Sequence, residues 1–101
     1  MFKALDPLLV SELRLAVMSL LMAVEEADFV YLKDRTGATA GNLSVQVQKL
    51  KKAGYISVKK SFKGNYPQTT CKILPKGIDA FEQHAEALHS YLQQASKKNA
   101  S

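Results

Sequence analysis

The sequence predicts a single, mainly α domain in which a small β-hairpin sits between helices, with long helices at its two ends. Three observations predict it. The chain has 101 residues, the length of one domain with a modest core. Apolar residues recur at helical spacing near the start, in the centre and near the end of the chain. Between the last two, apolar and polar residues alternate on either side of Lys63-Gly64-Asn65-Tyr66-Pro67, a run with turn chemistry.

The first helix is signalled by Asp6 as N-cap and Pro7 at the first helical position, and it is expected to run from residue 8 to residue 27. Leu8, Leu9, Leu13, Ala16, Val17, Leu20, Leu21 and Val24 supply one broad apolar face, and Leu15, Met18 and Met22 add apolar groups elsewhere. A surface helix needs only one stripe. The excess suits either a contact with another subunit or a central place in the monomer core. Residues 28–36 fit a short extended entry and a brief helix that ends at Gly37. A further helix starts at the N-cap Thr39 and stops at Gly54. Leu43, Val47 and Leu50 point it at the core, while Asn42, Val45, Gln46 and Lys49 form a second stripe, mainly polar and free of negative charge.

The next segment, residues 55–62, reads as a strand, with Ile56, Val58 and Phe62 alternating with polar residues, and Gln68 to Leu74 reads as its return. Pro75 opens the last helix, expected from about Lys76 to Ala95. Ile78, Phe81, Ala85, Leu88 and Leu92 form its apolar stripe, widened by His84 and Tyr91. Residues 1–95 are thus one domain and residues 96–101 a disordered tail.

Composition narrows the function classes. Hydrophobic residues make up 47%, far from disorder, and the single cysteine, Cys71, has no partner for an internal disulfide. A cytoplasmic setting is the expectation, because the N-terminal apolar stretch is interrupted by Glu12 and Arg14 and no apolar run spans a bilayer. The net charge of +5 is unevenly placed. From Arg35 to Ile78 there are nine cationic residues and no acidic one, whereas the two ends carry five cations and all nine carboxylates. Solvated surfaces usually mix the signs, so a one-sign stretch points to a polyanion, with nucleic acid the commonest. A basic solvent face without a partner is the plainer alternative.

The order of helix, short helix, glycine turn, helix, basic hairpin and long helix resembles the winged helix-turn-helix transcriptional regulators of the MarR/ArsR type, and more narrowly the small stand-alone winged helix DNA-binding domains. The resemblance covers about residues 5–92. It rests on the segment from Phe29 to Phe62, notably Asn42-Leu43-Ser44 and Leu50-Lys51-Lys52-Ala53-Gly54-Tyr55-Ile56, and on Leu74-Pro75-Lys76-Gly77. The chain departs from the group in having Leu74 where a threonine cap often stands, and in a wing with lysines but no arginine. The resemblance implies a bacterial regulator that binds double-stranded DNA as a homodimer, with the helix of about residues 39–53 in the major groove. The wing, about residues 60–68, would lie on the DNA backbone or minor groove.

On that reading Thr39, Ala40 and Gly41 hold a phosphate at the helix start, and Asn42 and Gln46 present paired donors and acceptors suited to adenine. Val45 meets a thymine methyl, and Ser44 and Lys49 lie on the same surface. Arg35 and, on the wing, Lys60, Lys63, Asn65 and Tyr66 contact the backbone. The plainer alternative for Asn42 and Gln46 is an ordinary solvated face; for the hairpin lysines it is protection of an edge strand, which does not explain the carboxylate-free middle of the chain. The expected dimer surface is Leu8, Leu9, Leu15, Met18 and Met22 with Leu88, Tyr91 and Leu92.

An enzyme is the poorest fit, since no acid, base and nucleophile fall into a set. His84, Glu86 and His89 lack metal-ligand spacing, so no metal and no cofactor are expected. Cys71 reads as a small buried residue. Two other readings stay open: a winged helix used for protein contact, and a regulator with a small-molecule effector between its first and last helices.

Overall fold

The structure, a computed structural model, describes residues 1–97. Seven elements follow one another: α1 (Glu12–Val24), β1 (Glu26–Asp28), α2 (Phe29–Thr36), α3 (Ala40–Lys52), β2 (Ile56–Lys63), β3 (Tyr66–Ile73) and α4 (Pro75–Lys97). The strands form one antiparallel sheet in the order β1-β3-β2. One core joins the layers: Leu9, Val17, Met18, Leu21, Leu32, Leu43, Val47, Leu50, Ile56, Cys71 and Ile73.

The first helix is shorter at both ends than its pattern predicts. Asp6 does cap, but only a single turn: its Oδ1 accepts the Leu8 N–H at 2.9 Å and its carbonyl accepts the Leu9 N–H at 2.9 Å. The long helix starts afresh at Ser11, whose extended backbone lets Oγ accept the Arg14 N–H. At the other end Glu25 adopts φ 68°, ψ −44°, which turns the chain out of the helix. Glu26 and Ala27 then pair with Lys72 and Cys71 of β3, and the Ile73 N–H donates to the Glu25 carbonyl. Sheet pairing, absent from any local pattern, takes these residues from the helix.

The hairpin turns through Gly64 and Asn65 alone. Gly64 has a positive φ, 65°, and Asn65 does not, the combination of a type II′ turn, whose twist matches the strands it joins. Tyr66 and Pro67 therefore belong to β3 rather than to the turn.

Most of the apolar stripe expected on α4 faces outward, while Phe81 packs against the core. Ile78 is 37% exposed, Leu88 39% and Leu92 66%, and Ala85 is also exposed. The buried side carries Gly77, His84, Ala87 and Ser90. The reason is the N-terminal arm. The Asp6 N–H donates to His84 Nδ1 at 3.0 Å, and the Lys3 N–H donates to Ser90 Oγ, which donates to the Ala87 carbonyl. A backbone laid along a helix needs polar partners, and these side chains supply them. The helix continues through Lys97, two residues into the expected tail, and residues 98–101 of that tail lie outside the described residues.

Two contacts fasten this assembly. A Cβ on Gly77 would stand 2.2 Å from the Tyr55 carbonyl oxygen, so α4 meets the base of β2 backbone to backbone. The Tyr55 hydroxyl donates to Asp6 Oδ2 at 2.6 Å, tying the arm to the same place. Burial, the bond to Asp6 and its negative charge push the Tyr55 phenol up to about 12.

Gly77→Ala is expected to cost about 2–3 kcal/mol, since the obstructing atom is backbone and cannot swing aside; urea unfolding at fixed protein concentration would show a lower midpoint with an unchanged slope. The Tyr55 phenol favours folding in its neutral form, so its contribution is complete below pH 10 and disappears as pH rises toward 12. The stability gap between the native protein and Tyr55→Phe, about 1 kcal/mol at neutral pH, should close across that alkaline window.

Candidate nucleic-acid interface

α2 and α3 meet at a three-residue turn. Gly37 closes α2 with φ 71°, its N–H donating to the Lys33 carbonyl. The Ala38 N–H donates to Thr36 Oγ, which itself donates to the Leu32 carbonyl at 2.7 Å. Thr39 then caps α3, its Oγ accepting the Asn42 N–H at 3.2 Å. This leaves the N–H groups of Ala40 and Gly41 without intrahelical partners, as the first turn of any helix must.

Leu43, Val47 and Leu50 are almost wholly buried, which fixes the rotation of α3 about its axis. The opposite side is exposed: Ala40, Gly41, Asn42, Ser44, Val45 and Lys49 lie there, and Gln46 is half-buried at its edge. A Cβ on Gly41 would meet nothing within 4 Å, so the chain's own packing makes no demand for glycine there. Arg35 stands exposed on α2 with its guanidinium 5.1 Å from the Tyr31 ring centre.

The hairpin separates the residues that the sequence grouped. Side chains alternate along each strand, so the pairs Ser57–Lys72, Lys59–Thr70, Ser61–Gln68 and Lys63–Tyr66 share one face. Lys60 and Phe62 lie on the other, continuing the row that begins with Ile56 and Val58. Lys60 and Lys63 therefore point to opposite sides. Both wing aromatics are prominent: Phe62 is 75% and Tyr66 78% exposed.

Two residues of α1 join the site without warning from their local pattern. Arg14 donates through Nη1 to Gln46 Oε1 and through Nε to the Leu8 carbonyl. Glu12 lines a hollow of about 220 Å³ together with Asn42, Thr36 and Ala38. An acidic residue of α1 is thus brought to the start of α3 from a distant part of the sequence. The one available signal was that Glu12 and Arg14 interrupt an apolar helix.

The residues expected at a subunit interface divide. Leu9 and Met18 are wholly enclosed by the chain's own core, where the break before Ser11 and the approach of α4 place them. Leu8, Leu15 and Met22 are half-buried against that core. Leu88, Tyr91 (42% exposed) and Leu92 stand out on α4, and Phe2 stacks on Tyr91 with ring centres 4.5 Å apart. Burial pushes the Cys71 thiol up to about 11, keeping it protonated and unreactive at neutral pH. Among the described residues no helix is long and apolar enough to cross a membrane.

Comparison with known proteins places this arrangement. Residues 13–92 match the family described as winged helix DNA-binding domain. Over 74 residues the chain is 35% identical to an uncharacterized protein of Methanocaldococcus jannaschii, covering 73% of this chain and 80% of that one. Its fold is similar to that of a transcriptional regulator homologue from Pyrococcus horikoshii OT3, with a TM-score of 0.81, 22% identity and 87% of each chain covered. It is also similar to a cysteine-to-serine mutant of E. coli MarR complexed with operator DNA, with a TM-score of 0.69, 21% identity, and 92% of this chain and 66% of that one covered. With the helix pair, its turn and the hairpin all within the matched residues, the chain belongs to the winged helix DNA-binding domain family.

Proposed function

We propose that the protein is a transcriptional regulator that binds duplex DNA sequence-specifically as a homodimer, with α3 in the major groove and the β2–β3 wing on the backbone or minor groove. The observation that carries this reading is the exposed side of α3, where Gly41, Asn42, Val45 and Lys49 stand uncovered on a helix whose other side is locked into the core. A helix of this kind fits the width of a major groove, and its polar stripe can meet base edges. Thr39, Ala40, Gly41 and Ser44 suit a phosphate at the helix start, and Arg35 suits one alongside. Lys63, Asn65 and Tyr66 form the outer contact of the wing, with Lys60 reaching from its other face.

The stripe on α4 supports the dimer in this reading. Leu88, Tyr91 and Leu92, with Phe2 stacked beside them, form an apolar surface that a lone chain would leave in water. Two copies would then read half-sites about 34 Å apart.

Affinity for duplex DNA should fall steeply as salt rises, because bound phosphates release counterions. Lys63→Ala should weaken binding to all sequences alike and make the log–log salt slope shallower by about 1; a sequence-selective loss would show that the wing reads bases. Leu92→Glu alters a residue that is 66% exposed in the single chain, so the fold should survive while the dimer does not. Sedimentation should then report monomers, and affinity for a two-half-site duplex should drop at least tenfold.

A further inference from the structure

We infer that Arg14 sets the base preference of α3, holding the amides of Gln46 and Asn42 so that the reading surface offers donors and favours guanine over adenine. The inference rests on the DNA-binding reading above and deepens it.

The connection is continuous. Arg14 is anchored by its Nε, which donates to the Leu8 carbonyl at 2.6 Å, in the turn that Asp6 caps. Its Nη1 donates to Gln46 Oε1. Gln46 Nε2 donates in turn to Asn42 Oδ1 at 3.1 Å, and the Asn42 backbone N–H is held by Thr39 Oγ. Both amide oxygens thereby already accept a hydrogen bond from the protein's own side chains. Reading adenine requires one amide to accept from N6 and donate to N7 together. An amide whose oxygen is already drawn toward an internal donor is poorly placed for that.

What the cluster has left is mostly of one kind, the second lone pair of each amide oxygen being the exception. The unused N–H groups of the Arg14 guanidinium, the Asn42 amide and the second hydrogen on Gln46 Nε2 are all donors. Guanine presents two acceptors, O6 and N7, in the major groove. Phosphate also accepts, but a phosphate held at the helix start by Thr39, Ala40 and Gly41 leaves the Asn42 and Gln46 amides to the base edges. Arg14 acts here as a positioning residue through Gln46, and its own free N–H groups add to the donor surface.

The test is selection of bound duplexes from a random pool by the full-length protein, by Arg14→Ala and by Gln46→Leu. Gln46→Leu leaves the Arg14 bond to Leu8 in place and so serves if Arg14→Ala folds poorly. The native protein should select guanine at one step of each half-site, and replacing that guanine by 7-deazaguanine should weaken binding about tenfold or more. Both variants should still bind duplex, but with the guanine preference at that step lost and with little further effect of 7-deazaguanine. Adenine selected there by the native protein, or an unchanged preference in both variants, would overturn the role of Arg14 while leaving DNA binding intact. A uniform loss of affinity with lowered thermal stability and the same selected sequence would mark Arg14 as structural only and likewise overturn it. Absence of salt-sensitive duplex binding by the native protein would instead sink the functional reading, and this inference with it.

Discussion

The burial of Leu43, Val47 and Leu50 is the constraint on which the candidate surface depends. In a helix, fixing one face fixes all the others, because successive residues are set about 100° apart. Once these three side chains fill the space between α1, α2 and the sheet, Asn42, Val45 and Lys49 have no choice but to face water. The short turn at Gly37 to Thr39 completes the constraint by fixing where α3 begins, and its internal hydrogen bonds leave the turn little freedom. The exposed stripe is thus rigid before any partner arrives, so little conformational entropy remains to be lost on binding.

A second theme is how the chain's N-terminal arm decides which side of α4 is inside. The arm has no regular structure and presents its backbone N–H groups to the helix. Those donors select His84 and Ser90, two polar residues, for the buried side and leave the leucines outside. Ordinary amphipathic packing would have chosen the reverse. The close approach at Gly77 makes the arrangement possible, since only a residue without a side chain lets the start of α4 lie against the Tyr55 carbonyl.

Element type was readable in the sequence wherever it was set locally. The cap at Thr39, the stop at Gly37 and the core triad of α3 needed only neighbours three or four residues away, and each is found where the pattern puts it. What depended on distant partners was not readable. Glu26 and Ala27 look helical until β3 is beside them, and His84 and Ser90 give no sign of being buried until the arm is in place. The site follows the same division. The stripe on α3 is a local fact, whereas Arg14 reaches Gln46 across 32 positions and Glu12 comes near Asn42 only through the crossing of two helices. Leu9 and Met18 illustrate the reverse case, apolar residues whose surplus in one helix is absorbed by the core of the chain itself.

The uninterrupted pairing of β2 with β3, from Ile56–Ile73 out to Lys63–Tyr66, also limits how the wing can vary. Each added pair of residues would turn the tip over, exchanging the side that carries Lys63 and Tyr66 with the side that carries Phe62. A longer wing that keeps its lysines facing the same way must therefore grow by two residues in each strand at once, in increments of about 7 Å. Reach in this scaffold comes in discrete steps, and kinship among such wings should be sought in the parity of their lengths.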